Sequence, residues 1–331
     1  MRKLVARLTM VALLALIALT PLNQAVGKET SLPEACQRLA FSVEEDFMMT
    51  QGQPLDGNPY ISDGDLLSLD TTVCARNAKL LEHFDVVADL GLDAVDVISA
   101  AGVAVAFSTE LDSPNVGQFT AGDLLTTDGV VIPNAALTAA FDVERDIGLD
   151  AIHFVGELEG ILGFLEEWSQ EPGILADMLR QWEIDIWFST EGAWTAGDAI
   201  GFLDGDLLSA RDGTVVAPGR DLLPPGIPAG IPTRGVDFGL DGATGSRKDN
   251  VKTLTFSTEI LHENDFGFTD GDVLLYGSET VVHTNQQLTA SFEPAEGFLG
   301  LDAFHASPEG QLPPGSYLPL VLKLLRWPIL Y

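Results

Sequence analysis

The chain has 331 residues, of which 46% are apolar, and 49 acidic residues against 17 basic ones give a formal net charge of −32. This charge excludes nucleic acid and anionic membrane surfaces as partners. The apolar content is sufficient for a packed core and excludes a disordered chain.

Residues 1–27 are typical of a cleavable export signal. Three basic residues among the first seven precede an apolar run, Leu8–Leu19, and Ala25–Gly27 provides small residues for cleavage. The sequence therefore predicts a secreted or cell-surface protein. No later segment has the ~20 consecutive apolar residues of a membrane-spanning helix, so we expect no transmembrane segment after cleavage.

Residues 28–306 contain four copies of one unit, each with three landmarks in the same order. The first landmark is Phe-Ser-Thr/Val-Glu, at Phe41–Glu44, Phe107–Glu110, Phe188–Glu191 and Phe256–Glu259. The second is Gly-Asp-Leu/Val-Leu, at Gly64–Leu67, Gly122–Leu125, Gly205–Leu208 and Gly271–Leu274. The third is Gly-Leu-Asp, which ends at Asp93, Asp150, Asp241 and Asp302. A repeat of this length predicts a stacked or ring-shaped architecture.

Turn signals divide each unit into four short strands in an antiparallel meander. In the second unit we predict strand A at Leu92–Ile98, strand B at Val103–Thr109, strand C at Asp123–Thr126 and strand D at Val130–Pro133. Asp128-Gly129 marks the turn between strands C and D.

The repeats begin with a strand B, near Leu39–Val43, and end with a strand A, near Leu301–His305. Such an offset lets the last strand pair with the first and removes the terminal sheet edges. The predicted fold is therefore all-β, a four-bladed β-propeller. A pair of β-sandwiches is the alternative that the same strand pattern permits.

Three units carry Asn-x-x-Leu between the second and third landmarks, beginning at Asn77, Asn134 and Asn285. This pattern predicts a short helix with an asparagine cap. The third unit instead has Gly219–Leu222 followed by the proline-rich residues 224–228, which cannot continue a helix. We expect an irregular loop there.

Residues 157–182 interrupt the repeat with two helix-like stretches, Leu158–Ser169 and Ile174–Trp182, and predict a helical hairpin over one face. Residues 307–331 form an apolar C-terminal tail. The helical insert and the proline-rich loop at 224–232 are unique to one unit. A partner, an extracellular protein or a glycan, is expected to dock there because loops on rigid scaffolds carry function.

The three landmarks resemble a repeat of bacterial exported proteins of unknown function, most cleanly at Phe107–Glu110, Gly122–Leu125 and Ile147–Ala151. That resemblance covers nearly all of the chain after the signal and implies no activity. Leu-Asp-Ala at a strand start, a Phe-rich second strand and four units also resemble hemopexin-type propellers, whose central tunnel binds ions. The aromatic signature of that family is missing, so this resemblance concerns architecture alone. Residues 317–323 resemble a tail element of other bacterial exported proteins.

The meander places the end of strand B, the start of C and the start of A at one edge of each unit. Twelve acids lie at these points: Glu44, Asp65 and Asp93; Glu110, Asp123 and Asp150; Glu191, Asp206 and Asp241; Glu259, Asp272 and Asp302. Ca²⁺ takes six to eight oxygen ligands, so one hypothesis is four Ca²⁺ sites, one per unit. The alternative is that aspartate beside glycine caps its own turn and that glutamate at a strand end is solvated.

Three residues after each third-landmark aspartate come Asp96, His153, Thr244 and His305. These side chains occupy equivalent positions on strand A and would face a central tunnel. Two histidines and an aspartate can bind a transition metal. Hydrogen-bonded structural histidines are the alternative interpretation.

The two cysteines, Cys36 and Cys74, both belong to the first unit. An exported protein meets an oxidising compartment, which favours a disulfide between them. Such a bond would fix the N-terminal segment and would not define the fold.

No nucleophile elbow, zinc-protease motif or phosphate-binding glycine loop is present in the sequence. The twelve acids recur in every unit, whereas an active site normally occurs once. The sequence thus favours a non-catalytic extracellular binding or surface protein, stabilised by Ca²⁺. The alternative is a secreted, glycosidase-like hydrolase that uses a carboxylate pair near the insert, such as Glu166, Glu167 or Asp177.

Overall fold

The computed structural model describes residues 32–99, 104–143, 145–169, 171–196, 199–230, 235–248, 251–264, 266–295 and 297–307. The predicted export signal and all but the first residue of the predicted C-terminal tail lie outside these ranges. Within them, no helix combines the length and the apolar character needed to cross a bilayer.

Four four-stranded antiparallel sheets make up most of the described structure. The first sheet has the order β20 (Leu301–Ala306), β1 (Leu39–Val43), β4 (Leu66–Ser68) and β5 (Thr72–Ala75). The second consists of β6 (Val95–Ser99), β7 (Ala104–Phe107), β8 (Leu124–Thr126) and β9 (Val131–Ile132). The third consists of β10 (Ile152–Val155), β11 (Asp185–Phe188), β14 (Leu207–Ser209) and β15 (Thr214–Ala217). The fourth consists of β16 (Gly242–Lys248), β17 (Val251–Ser257), β18 (Val273–Leu275) and β19 (Val281–His283).

Two short hairpins lie in the connections between the second and third strands of a sheet. They are β2 (Phe47–Met48) with β3 (Tyr60–Ile61), and β12 (Trp194–Ala196) with β13 (Ala199–Phe202). The prediction of a mainly β protein with four antiparallel strands per unit is confirmed.

The last strand completes the first sheet, because β20 pairs antiparallel with β1 and places Phe304 opposite Phe41. The first strands of the four sheets contact one another in a closed succession: β6 with β10, β10 with β16, β16 with β20, and β20 with β6. The sheets therefore surround a centre formed by these four strands.

Four apolar clusters fill the spaces between successive sheets. The phenylalanine of the first landmark is fully buried in every unit, at Phe41, Phe107, Phe188 and Phe256. Strand β1 is buried at all five positions, because each sheet has a neighbour on both faces. Other strands differ, since β10 alternates between buried and partly buried positions.

The described ranges contain seven short α-helices, most of one or two turns. They are α1 (Glu34–Arg38), α2 (Asn77–Leu80), α3 (Asn134–Leu137), α4 (Leu158–Glu167), α5 (Leu175–Gln181), α6 (Gly219–Leu222) and α7 (Asn285–Thr289). Single 3₁₀ turns cover Glu82–Phe84, Ala139–Phe141, Pro172–Ile174 and Ala290–Phe292.

Two sequence predictions about these helices are wrong. The repeated asparagine is the first helical residue and not the cap, which is Arg76, Pro133 or Thr284. The third unit retains a one-turn helix, α6, where we expected an irregular loop. The prolines end the helix after Leu222, and the 3₁₀ turn that follows the corresponding helix in the other three units is replaced there.

The helical insert connects β10 to β11 through α4 and α5. Phe164, Trp168 and Leu179 are buried in the cluster between the second and third sheets. The Trp168 indole N–H donates to the carbonyl of Val131 at 2.8 Å. Because the insert follows the end of β10, it lies at the edge of the third sheet opposite the start of that strand.

Cys36 and Cys74 form a disulfide with their Cα atoms 5.8 Å apart. The bond joins α1 to β5, the outermost strand of the first sheet.

Candidate functional site

The third-landmark aspartates lie just before or at the start of the four central strands. Asp93, Asp150 and Asp241 are at most 6% exposed, and Asp302 is partly buried. The Oδ2 atoms of all four are buried and have no hydrogen-bond partner among the described residues. The carboxyl groups of Asp150 and Asp302 lie within hydrogen-bonding reach of Glu259 and Glu110, respectively. Burying a carboxylate oxygen without a partner is costly, so Asp93 and Asp241 in particular require an explanation.

The serine of the first landmark positions these aspartates across the boundary between two sheets. Three of the four serine hydroxyls donate to the carbonyl of the residue preceding the next sheet's aspartate: Ser42 to Leu92 at 3.0 Å, Ser108 to Leu149 at 3.0 Å, and Ser189 to Leu240 at 2.9 Å. The fourth serine, Ser257, has a buried hydroxyl without a partner. The repeated serine thus links neighbouring sheets at the base of the aspartates.

The glutamate of the first landmark is exposed and packs over the third-landmark glycine of its own sheet. A Cβ atom at these glycines would lie 2.1–2.5 Å from a glutamate atom: Gly91 from Glu110, Gly148 from Glu191, Gly239 from Glu259, and Gly300 from Glu44. The glycine is therefore required for the glutamate to approach the aspartates. We call the four aspartates and four glutamates together the acidic centre.

Within the acidic centre, one oxygen atom each of Asp150, Asp241 and Glu259 lie within 4.8 Å of one another. These three acids belong to three different predicted units. No other group of three potential metal ligands among the described residues lies this close together. Strands A and C of one sheet are two strands apart, roughly 9.6 Å, whereas the A strands of neighbouring sheets meet at the centre. Asp241 and Glu259 come from the same sheet, before β16 and after β17, and Asp150 comes from the neighbouring sheet, before β10.

Burial raises the pKa of each third-landmark aspartate, and the other acids add to the effect. The charge of Asp93 raises the pKa of both Asp150 and Asp302. The charge of Asp241 raises the pKa of Asp150, and that of Asp302 raises the pKa of Asp241. These aspartates thus lie close enough for the charge of one to raise the pKa of another.

Burial and neighbouring acids also raise the pKa of two of the first-landmark glutamates. Burial and the nearby Asp204 raise the pKa of Glu259 to about 7, and burial and Asp63 raise that of Glu110. The ion pairs formed by the described residues include none of the eight acids of the acidic centre. No Lys, Arg or His of the described chain therefore offsets the repulsion among these acids, and the raised pKa values favour their protonated forms.

The second-landmark aspartates, which we also predicted as ligands, accept hydrogen bonds from the backbone. Both carboxylate oxygens accept backbone N–H groups: Asp65 from Ser62 and Asn77, Asp123 from Thr120 and Asn134, Asp206 from Leu203 and Gly219, and Asp272 from Thr269 and Asn285. This is the turn chemistry that we considered as the alternative to metal binding. These four acids fix the entry of strand C and the helix after strand D.

The repeated asparagine has a role that the sequence analysis missed. The Asn134 amide donates to the carbonyls of Gly122 and Gly148 at 3.1 and 2.9 Å, and its oxygen accepts the N–H of Ile147. The side chain therefore joins the second landmark to the third. Its occurrence at the same spacing in three units was the available signal.

Farther along the central strands, Asp96 lies between His305 and His153. The Asp96 carboxylate is 2.6 Å from His305 Nδ1 and 3.4 Å from His153 Nδ1. His153 Nε2 lies 2.6 Å from the Gly245 carbonyl, and the Thr244 hydroxyl donates to Ala306. These contacts correspond to the interpretation as structural histidines.

Burial opposes protonation of His153, but the charge of Asp96 and the Gly245 carbonyl outweigh it and raise the His153 pKa. Burial also raises the pKa of Asp96, yet the two histidines lower it overall. The array therefore favours an ionised aspartate beside a protonated histidine, which joins three sheets.

The acids near the helical insert do not form a cluster. Glu166 and Glu167 are exposed on α4, and Asp177 on α5 is exposed and pairs with Arg180 at 2.9 Å. In the proline-rich loop, residues 231 and 232 lie outside the described ranges, and the preceding part buries Ile227 and Ala229 in the core.

No model of a protein family matches the chain, and searches of curated proteins and of solved structures find no similar protein either.

Proposed function

We propose that the protein is a non-catalytic, exported binding or surface protein on a four-bladed β-propeller, and that Ca²⁺ bound at the acidic centre stabilises it. Two observations support the propeller: the pairing of β20 with β1, and the closed succession of contacts among the first strands of the four sheets. Each sheet then corresponds to one blade, and the first blade is completed by the last strand.

The observation that carries cation binding is the set of buried, unpartnered Oδ2 atoms at four equivalent aspartates. Ca²⁺ binds oxygen ligands at ~2.4 Å, so ligands on opposite sides of one ion are about 4.8 Å apart. The oxygens of Asp150, Asp241 and Glu259 fall within that limit. A divalent cation would also reduce the repulsion that raises the pKa of these groups.

Thermal unfolding of the purified protein, with Ca²⁺ and then with excess chelator, tests this proposal. A ligand that binds only the folded state at 100 times its Kd contributes about 2.7 kcal/mol, which raises Tm by roughly 5–10 °C for a domain of this size. A shift that chelator reverses supports the proposal. An unchanged Tm at millimolar Ca²⁺ would contradict it.

The acids of the three landmarks recur in every unit, so we assign them a structural role. The helical insert occurs in one unit only, so we place the binding surface for a partner there. Leu158 and Leu162, four residues apart on α4, are 44% and 41% exposed. Candidate extracellular proteins and a glycan array would be tested for saturable binding to the protein. Replacing both leucines with Glu should abolish that binding without changing Tm, and binding that survives would contradict this placement.

A secreted hydrolase is the second candidate, favoured by one observation. Glu259, with its pKa raised to about 7, suits a general acid, and Asp150 lies beside it. Turnover of any glycan that Glu259→Gln abolishes would establish the hydrolase. Binding without turnover would support the scaffold.

A further inference from the structure

We infer that the fourth unit carries a binding site for neutral carbohydrate, a cavity of about 690 Å³ beside α7 in which Phe298 provides the stacking surface. This inference rests on the proposed binding function and deepens it. It assigns glycans to this cavity and leaves the helical insert to a protein partner. The acidic centre takes no part in it.

The first argument is a departure from the repeat at one position. Four residues before the third-landmark aspartate, the first three units have Asp89, Asp146 and Asp237, whereas the fourth unit has Phe298. The Phe298 side chain is 43% exposed. The fourth unit therefore presents an aromatic ring to solvent where the other units have a carboxylate.

The second argument is the hydrogen bond that the fold loses through this change. In the second unit, the Thr120 hydroxyl donates to the Asp146 carboxylate at 2.6 Å. Thr269 holds the equivalent position in the fourth unit, and its buried hydroxyl has no hydrogen-bond partner among the described residues. An aspartate in place of Phe298 would supply that partner. A sequence gives up such a contact for an exposed ring where function requires the ring.

The third argument is the chemistry of the wall around Phe298. The volume of the cavity falls within the ~300–1,000 Å³ of small-molecule sites. Exposed Gln286 and Glu293 line it, and so does Thr284, whose hydroxyl accepts the N–H of Gln287 at 3.2 Å. Amide and hydroxyl groups donate and accept hydrogen bonds, which matches the hydroxyls of a sugar, and the phenyl face packs against its C–H groups.

Other ligand classes fit the cavity less well. The described residues that line it include no Lys, Arg or His, and the chain has a net charge of −32, which disfavours anionic ligands. Both carboxylate oxygens of Asp272 already accept backbone N–H groups, from Thr269 and Asn285. Strand β19 forms the edge of the fourth sheet but does not line the cavity, so a peptide that added a strand to this sheet would not fill it.

An array of neutral oligosaccharides built from glucose, galactose, mannose and N-acetylglucosamine, probed with the full protein, tests the inference. Isothermal titration of the strongest binder then gives its Kd for the wild type and for each variant. We expect saturable binding of at least one oligosaccharide below millimolar concentration.

The site variant is Phe298→Asp, which restores the residue type of the other three units. It removes the stacking surface and should weaken oligosaccharide binding at least about 10-fold. It also offers Thr269 the partner that Thr120 has, so Tm should be unchanged or higher. The matched control is Tyr60→Ala, which removes an aromatic side chain of the same 43% exposure from β3 and should bind like the wild type.

Phe298→Trp keeps an aromatic face and should retain binding. Oligosaccharide binding that Phe298→Asp does not weaken, or that Tyr60→Ala weakens equally, would overturn the inference. Binding that is lost only when Leu158 and Leu162 are both replaced with Glu would also overturn it and would support the insert as the binding surface. If no oligosaccharide binds at millimolar concentration, the inference is wrong, whereas the protein partner of the insert and the Ca²⁺ proposal keep their own separate tests.

Discussion

Replacing Gly148 with alanine should destabilise the protein strongly, because this glycine is constrained in two ways. Its φ is +79°, a conformation that costs an L-residue about 1–2 kcal/mol. An added Cβ would also lie 2.5 Å from Cγ and 2.7 Å from Cβ of Glu191. Those atoms are close to the Glu191 backbone, so rotating the side chain does not remove the contact.

The two contributions can be separated by matched glycines. Gly117 has a φ of +77° and no atom within 4 Å of an added Cβ, so Gly117→Ala should cost about 1 kcal/mol from the backbone alone. Gly300 lacks a positive φ, and its nearest neighbours are the carboxylate atoms of exposed Glu44, which can swing into solvent. Gly300→Ala should therefore cost less than about 1 kcal/mol.

Gly148→Ala should cost about 3 kcal/mol, since overpacking typically adds 1–3 kcal/mol to the backbone term. Urea unfolding followed by circular dichroism at constant pH gives these differences from the midpoints, provided that the slopes are unchanged. If Gly148→Ala is no more destabilising than Gly117→Ala, Glu191 does not pack over Gly148. The described packing of the first-landmark glutamates over the third-landmark glycines is then wrong.

Two further predictions concern contacts between sheets. Ser108→Ala removes the hydrogen bond to the Leu149 carbonyl and should lower the free energy of unfolding by about 1 kcal/mol. The Ser257 hydroxyl has no partner, so Ser257→Ala should be neutral or stabilising. Equal losses of stability in urea unfolding would contradict this assignment. The pKa of His153 is raised in the folded protein, so protonated His153 contributes fully to the free energy of unfolding below the unfolded-state pKa of about 6.5. That contribution is lost as pH rises through the folded-state pKa. His153→Gln should therefore destabilise the protein more at pH 6 than at pH 9. A pH-independent difference would show that His153 is not charged beside Asp96.

The strand pattern was predictable because it depends on local signals. Turn dipeptides such as Asp128-Gly129 separated strands C and D, and the offset start near Leu39 indicated that the last strand pairs with the first. The one-turn helix at Gly219–Leu222 was not predicted, because prolines prevent a helix from continuing but do not prevent a turn that ends before them.

The candidate site was harder to predict because it depends on how sheets meet, which no single unit encodes. The sequence identified the correct residue types at Asp150, Asp241 and Glu259 but grouped them by unit. It also could not distinguish Asp123, whose oxygens face backbone N–H groups, from Asp150, which has an oxygen without a partner. Both aspartates follow a glycine or a leucine near a strand start, and only the packing between sheets separates their roles.

The disulfide has a mechanical consequence. Leu39 and Ala306 are register partners in the antiparallel pair of β1 and β20, so a force that pulls the two chain ends apart would peel this pair open one hydrogen bond at a time. Cys36 precedes β1 and is bonded to Cys74 on β5, across the first sheet from β20. Tension applied at the N-terminal end is therefore shared at Cys36 between the backbone, which leads into β1, and the disulfide, which leads into β5. The disulfide thus spreads such a load over two strands of the first sheet, whereas the pair of β1 and β20 is held by strand pairing alone.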